Sequence, residues 1–114
     1  MPAQHTVDFF EIPVLDMAGA KAFYSAAFGW SFDEWGTDYA YILGAGLLGG
    51  LRLVTAPPTP GGALVILYSN DLAQSELAVT AAGATIVSRI EFPGGKRFHF
   101  VDPSGCELAV WTRV

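Results

Sequence analysis

Apolar residues alternate in the first structured segment of the chain. In Phe9–Val14 this alternation places Phe10, Ile12 and Val14 on one face of a predicted strand. Pro13 has no amide hydrogen to donate, which favours an edge strand or the end of a strand. The opposite face of the predicted strand carries Phe9, Glu11 and Pro13.

The spacing of apolar residues then changes to that of a helix. They recur at i, i+3, i+4, i+7 and i+8, namely at Ala20, Phe23, Tyr24, Ala27 and Phe28. Asp16 offers an N-cap, and Gly29 suits the left-handed residue that follows a helix. The pattern predicts an amphipathic helix over Met17–Phe28.

Short strands and turns fill the rest of the first half. Aromatic residues in Trp30–Trp35 and Asp38–Leu43 predict two strands, with a turn at Gly36 and Thr37. A glycine-rich stretch over 44–50 precedes a further short strand over Leu51–Val54. Thr55–Gly62 contains three prolines and two glycines in its eight residues and is interpreted as a linker.

The same order of elements is predicted after the linker. Asn70 or Asp71 can cap a second helix, which Gly83 ends. The predicted strands around it are Ala63–Tyr68, Ala84–Phe92, Lys96–Val101 and Cys106–Trp111. The glycines that end the two helices, Gly29 and Gly83, lie 54 residues apart.

This repeat indicates an α+β domain made of two βαβββ modules. The modules cover about 7–54 and 63–113, and the linker over 55–62 joins them into a single domain over 1–114.

The segment Asp102-Pro103-Ser104-Gly105 has the composition of a type I turn between the last two strands. The Asp102 carboxylate can accept hydrogen bonds from amides two residues on, so this residue has a structural role that requires no chemistry. Cys106 shares a strand face with two aliphatic residues, and we interpret it as a small buried apolar residue rather than a nucleophile.

Composition narrows the classes of partner. The formal net charge is −5, which disfavours binding to the phosphate backbone of nucleic acids. No run approaches the ~20 apolar residues that a membrane span requires, and the N-terminus lacks the pattern of a signal peptide. Cys106 is the single cysteine and cannot form an internal disulfide. We therefore expect a cytoplasmic protein with no nucleic-acid or membrane partner.

Three stretches resemble the vicinal oxygen chelate superfamily, the group that contains glyoxalases, bleomycin resistance proteins and dioxygenases. They are FFEIPVLDMAGAKAFYSAAFGW, LYSNDLAQSELAVTAAGA and PGGKRFHFVDPSGCELAVW. The resemblance implies a curved mixed sheet, built by two βαβββ units around a cleft. It also implies a homodimer in which strands of two chains complete shared clefts.

Enzymes of this superfamily hold one divalent metal with His, Glu or Gln side chains. The resemblance places three of those positions at Phe9, Leu64 and Ala109, and the remaining one in the strand over 49–53. Phe, Leu and Ala have no lone pair for a cation, and the strand offers no His, Glu, Gln or Asp. We therefore expect no metal and no other cofactor.

The favoured hypothesis is a protein that binds a small organic molecule in a dimer cleft without metal. The residues predicted to bind the ligand are Phe9, Glu11, Trp30, Trp35, Tyr41, Ala109 and Trp111. One alternative is a metal-dependent lyase, isomerase or dioxygenase, in which Glu11 and Glu107 form a relocated site with His99 or His5. The other is a metal-free acid/base enzyme that uses Glu11 or Glu107, with His99 as a further catalytic candidate.

Overall fold

A computed structural model describes residues 3–114, and these contain eight strands and two helices. In chain order the elements are β1 (Phe9–Val14), α1 (Met17–Phe28), β2 (Ser31–Glu34), β3 (Tyr39–Leu43), β4 (Leu48–Leu53), β5 (Val65–Tyr68), α2 (Leu72–Ala82), β6 (Thr85–Phe92), β7 (Gly95–Val101) and β8 (Glu107–Arg113). The predicted helix Met17–Phe28 is confirmed, and most strand bounds differ from prediction by one or two residues.

The strands form two four-stranded mixed sheets with the same order, β1-β4-β3-β2 and β5-β8-β7-β6. In each sheet the strand that comes first in the chain pairs in parallel with the strand that comes last, β1 with β4 and β5 with β8. The remaining pairs are antiparallel. The predicted α+β class with two βαβββ units is confirmed, with its strands divided between two sheets. The helices α1 and α2 contact one another, so the two units share a helical layer.

One hydrophobic core lies between the helices and one face of both sheets. Helix α1 contributes Ala20, Phe23 and Tyr24. The first sheet adds Ile12, Val14, Ile42 and Leu51, and the second adds Phe98, Phe100, Leu108 and Val110. Burial of these side chains is the main favourable term in folding. The side chains on the opposite face of each strand lie outside this core.

The ends of the helices follow the predicted residues but differ in their bonding. The Asp71 side chain accepts a hydrogen bond from the amide of Gln74 at 3.1 Å, which makes it the N-cap of α2. Asp16 occupies the N-cap position of α1, but its side chain makes no capping hydrogen bond. Gly29 ends α1 with a φ of 74°, a conformation that glycine adopts without strain.

The predicted start of β4 at Leu51 is wrong, because the strand begins at Leu48 inside the glycine-rich stretch. A Cβ at Gly49 would overlap the ring of Phe10, and one at Gly50 would overlap the ring of Tyr39. These glycines therefore serve close packing of neighbouring aromatic rings inside the sheet.

The turn between β7 and β8 is held by the Asp102 carboxylate, as the sequence predicts. The amide of Gly105 donates to the Asp102 carbonyl at 3.0 Å and closes the turn. Oδ1 of Asp102 accepts from the amides of Ser104 and Cys106, each at 2.9 Å.

The same turn is bonded to the first unit. The Tyr24 hydroxyl of α1 donates to Oδ2 of Asp102 at 2.6 Å. The amide of Leu15, between β1 and α1, donates to Oγ of Ser104 at 2.9 Å. Asp102 is only 4% exposed, so its charge depends on these donors. Burial, and then the Asp102 carboxylate, raises the pKa of Tyr24 well above 10.0, so its hydroxyl remains a donor at neutral pH.

Replacing Tyr24 by Phe leaves Oδ2 of Asp102 buried without its donor. We expect Tyr24→Phe to lower the free energy of unfolding by about 1–3 kcal/mol at pH 7, measured by urea denaturation. The matched control is Tyr39→Phe, whose hydroxyl bonds to the exposed Glu11 and whose loss we expect to be smaller.

The raised pKa of Tyr24 also predicts a pH dependence. The stabilisation is complete below pH 10.0 and is lost as the pH rises from there towards the folded-state pKa. Tyr24→Phe removes this part of the alkaline loss. An equal free energy of unfolding for wild type and Tyr24→Phe at pH 7 would contradict the structural role of the bond.

Candidate functional site

Each sheet has a face opposite the helices, which we call its open face. On the open face of the first sheet four aromatic side chains come together: Phe9, Trp35, Tyr39 and Tyr41. Strand alternation explains this arrangement. In β3 the residues on either side of Tyr41 point into the core, and in β1 the residue after Phe9 does so.

Tyr41 lies at the centre of this aromatic cluster. The centroid of its ring lies 6.2 Å from that of Phe9, 5.7 Å from Trp35 and 5.6 Å from Tyr39, with interplanar angles of 87°, 88° and 81°. These are edge-to-face contacts, which leave ring faces free to stack on a ligand. The Trp35 side chain is well placed for this, since the residue is 62% exposed.

Two carboxylates accompany the aromatic cluster. Glu11 accepts hydrogen bonds from the Tyr39 hydroxyl at 3.0 Å and from Nε of Arg52 at 2.7 Å. Burial, and then the bond to Glu11, raises the pKa of Tyr39 to about 12. Asp33, opposite Tyr41 in the register, accepts from the Trp35 indole at 3.3 Å. Within residues 3–114 no Lys or Arg forms a salt bridge with Asp33.

The second sheet carries a smaller aromatic group on its open face. The ring centroids of Tyr68 and Trp111 lie 5.1 Å apart, and the Arg113 guanidinium lies 5.2 Å from the centroid of Tyr68. Ala109 occupies the middle of β8 on this face and is completely buried.

Next to Ala109 in the register lies His99, on β7. Nδ1 of His99 is 2.7 Å from Oε2 of Glu107, and the histidine is 8% exposed. The structure thus brings together two of the three catalytic candidates. Glu107 and the third candidate, Glu11, line one cavity of about 320 Å³ beneath the linker residues 58–62.

The residues predicted to bind a ligand fall into three places. Four lie on the open face of the first sheet: Phe9, Glu11, Trp35 and Tyr41. Ala109 and Trp111 lie on that of the second sheet. Trp30 is apart from both, because it is 5% exposed and stacks on Tyr24 with centroids 5.0 Å apart. It lines a separate cavity of about 800 Å³ with Phe10 and Phe28.

The comparisons with known proteins bear on the fold. Residues 6–44 match the model of the bleomycin resistance protein-like N-terminal family. No curated protein sequence matches the chain. A glyoxalase-related enzyme from Fulvimarina pelagi superposes with a TM-score of 0.78 at 19% identity, over 96% of this chain and 88% of that one.

Two further solved structures agree. A glyoxalase/bleomycin resistance protein/dioxygenase family enzyme from Burkholderia phytofirmans PsJN has a TM-score of 0.80 at 15% identity, over 95% of this chain and 100% of that one. A fosfomycin resistance protein from Listeria monocytogenes, solved with Mn(II) and 1S,2S-dihydroxypropylphosphonic acid, has a TM-score of 0.77 at 15% identity, over 95% and 90%.

The chain has the glyoxalase/bleomycin resistance fold. The fold that the resemblance to the vicinal oxygen chelate superfamily implies is thereby confirmed, and at these identities the likeness to solved structures concerns the fold alone. In the part of the chain that the structure describes, no helix is long and apolar enough to cross a membrane.

The positions at which the resemblance implies metal ligands hold Phe9, Leu64 and Ala109. These hydrocarbon side chains do not fit a divalent cation. Over residues 3–114, moreover, no three His, Cys, Asp or Glu side chains lie close enough to hold a metal ion. Among the described residues Glu11, Glu107 and His99 do not form a three-ligand cluster: Glu107 contacts His99, whereas Glu11 is paired with Arg52.

Sequence reasoning missed Arg52 and Gly50 of this fold. With β4 beginning at Leu48, simple alternation would have placed both residues on the open face, beside Glu11 and Tyr39. Tyr68 was missed for another reason. Its contact with Trp111 depends on the parallel pairing of β5 with β8, which no local pattern reveals.

The pKa of the Cys106 thiol predicts how fast the residue reacts. Burial, followed by the Asp102 and Glu107 carboxylates, raises the pKa of its thiol from 9.0 to about 11. Since the thiolate is the reactive form, we expect alkylation by iodoacetamide at pH 8 to be on the order of a hundredfold slower than in the urea-unfolded chain. The rate should increase as the pH approaches 11. Equal rates in folded and unfolded protein would show a reactive thiol instead.

Proposed function

We propose that this protein binds a small cationic or aromatic organic molecule, without a metal, in a cleft completed by a second copy of the chain. The observation that carries the proposal is the aromatic cluster of Phe9, Trp35, Tyr39 and Tyr41 with the Asp33 carboxylate beside it. Such a cluster supplies flat apolar area at low entropic cost, and an adjacent carboxylate selects positive charge.

Charge supports a cationic ligand in preference to an anionic one. Glu11 is already paired with Arg52, whereas within residues 3–114 the one side-chain donor to Asp33 is the neutral indole of Trp35. The whole chain carries a formal net charge of −5, which raises the local concentration of cations at its surface. A ligand ammonium group between the Trp35 ring and Asp33 would gain both a cation–π contact and a charge pair.

We propose binding without a metal because the side chains at the implied ligand positions lack donor atoms. The superfamily positions Phe9, Leu64 and Ala109 hold hydrocarbon side chains. Metal-dependent lyase, isomerase or dioxygenase chemistry would need other donors. Polarising a substrate oxygen as a Lewis acid, in particular, requires a fixed cation.

A second copy of the chain is the partner we propose for the open faces. Large apolar side chains there are well exposed, including Leu48 at 47%, Ile66 at 45% and Tyr68 at 44%. Exposed apolar surface of this kind is typical of interaction sites. The proposed assembly is a cytoplasmic homodimer of single-domain chains, in keeping with a sequence that has one cysteine.

Benzyltrimethylammonium is a direct probe of the aromatic cluster. We expect it to raise the melting temperature and to quench the fluorescence of Trp35, whereas benzenesulfonate should do neither. Trp35→Ala should weaken binding of the cation by about tenfold, in line with the loss of a desolvated cation–π contact. The matched control is Leu77→Ala on α2, since Leu77 is 64% exposed and lies far from the cluster in the fold.

Equal binding of the cation and the anion, or equal affinity of wild type and Trp35→Ala, would overturn the proposed site. The assembly is tested separately by light scattering after size-exclusion chromatography, where we expect twice the mass of the 12.1 kDa chain.

Metal content tests the third part of the proposal. After incubation with Ni²⁺, Zn²⁺, Mn²⁺ or Fe²⁺ and desalting, elemental analysis should find no retained metal, because the superfamily positions offer hydrocarbon side chains. Retention of about one ion per chain would overturn the metal-free function and redirect the work to lyase and dioxygenase assays.

A further inference from the structure

Two neighbouring positions on the open face of β7 hold buried nitrogen atoms that lack a hydrogen-bond partner within residues 3–114. These atoms are Nε of Arg97 and Nε2 of His99. Buried polar groups are nearly always paired, and an unpaired group at a defined place indicates a missing partner or a functional role. Here two such groups occur side by side.

The bond between His99 and Glu107 determines which proton the imidazole carries. An ionised carboxylate can only accept, so Nδ1 of His99 must donate to Glu107 across their 2.7 Å contact. In the neutral imidazole the proton is then on Nδ1, and Nε2 presents a lone pair. The unpaired atom of His99 is therefore a base, held in one tautomer and one ring orientation.

Arg97 and His99 point to the same side of the strand. Phe98 between them is completely buried in the core, and the register pairs Arg97 with Trp111 and His99 with Ala109 on the open face. Residues two apart in a strand have Cα atoms about 6.6 Å apart. The two side chains therefore leave the open face of β7 at adjacent positions.

We propose that Arg97 and His99 bind a hydroxyl group of a small-molecule ligand, with His99 as its proton acceptor. The hydroxyl donates to Nε2 of His99 and accepts from the N–H of Arg97, so one group satisfies both unpaired atoms. The ligand class that suits this arrangement is a phenol or an enol, whose O–H is acidic enough to ionise beside a histidine.

The proton transfer balances within the site. The O–H bond breaks, its electron pair stays on the oxygen, and the proton forms a new bond with Nε2. The resulting imidazolium faces the Glu107 carboxylate, and the resulting oxyanion faces the Arg97 guanidinium. The flanking residues in the register, Ser88 on β6 and Ala109 on β8, are uncharged. His99 is thus the proton acceptor, and Glu107 is a positioning residue.

This inference goes beyond the proposed binding of a cation and does not depend on it. The aromatic cluster belongs to the first sheet, whereas these residues belong to the second. Arg97 is half-buried, so its flexible side chain can move to admit a small group.

The probe is 4-nitrophenol, whose phenolate absorbs at longer wavelength than the phenol. At a pH below the pKa of the free phenol, adding wild-type protein should increase the phenolate band. His99→Gln should abolish the increase, and Arg97→Met should reduce the affinity for phenolate by about tenfold or more. The control Leu43→Ala, at an exposed position of the first sheet, should leave it unchanged.

The role of Glu107 has its own readout. In ¹⁵N-resolved spectra of the histidine rings, wild-type His99 should show a protonated Nδ1 and an unprotonated Nε2 at neutral pH. Glu107→Gln should mix the two tautomers and reduce the phenolate band that the protein induces with 4-nitrophenol, and Glu107→Asp should restore part of both. The matched control Glu91→Gln, an exposed carboxylate on β6, should change neither.

Three results would overturn the inference. One is an unchanged phenol spectrum, with exchange spectroscopy showing an ordered water only at Nε2. Another is an equal increase in the phenolate band with His99→Gln. The third is a wild-type His99 protonated on Nε2 at neutral pH, since that atom could then not accept the hydroxyl proton.

Discussion

The buried carboxylate of Asp102 joins parts of the chain that are far apart in sequence. One oxygen holds the turn between β7 and β8, and the other accepts the Tyr24 hydroxyl of α1 at 2.6 Å. Ser104 of the same turn accepts the amide of Leu15. Because an unpaired buried carboxylate is costly, these bonds must form together. They fix the position of the second unit against the first, and with it the position of the open face of β7 and β8.

Alternation along the strands turns this packing into a site. Phe98 and Phe100 enter the core, so Arg97 and His99 must point the other way. The same constraint places the aromatic cluster opposite Ile42 and Ala40 of β3. Gly50 leaves room for the Tyr39 ring, because any side chain at this position would overlap it. The functional candidates thus depend on residues that have no chemistry of their own.

This chain shares its fold with known proteins, but the fold does not determine the side chains on its open faces. The sheets superpose on those of enzymes and resistance proteins at 15–19% identity, which is enough to establish the architecture. The side chains on the open faces are a different matter, since function resides in the site and not in the fold. Hydrocarbon residues stand at the positions where the resemblance implies metal ligands, while the carboxylates of Glu11 and Glu107 are paired with Arg52 and His99. Within residues 3–114, Nε of Arg97 and Nε2 of His99 lack a hydrogen-bond partner, and Asp33 forms no salt bridge with a Lys or Arg; both places are therefore part of our proposals.

Local patterns in the sequence determined the helices, the turn at Asp102 and the two βαβββ units, because periodicity and turn residues act over a few positions. They also placed Phe9 and Glu11 on one face of β1. Cys106, predicted to be buried, is half-buried. Tertiary structure alone decided that β4 begins at Leu48, that Trp30 belongs to the core, and that Tyr68 meets Trp111. It also decided that His99 bonds to Glu107. These outcomes depend on pairing between distant strands and on the packing of α1, which no local pattern encodes.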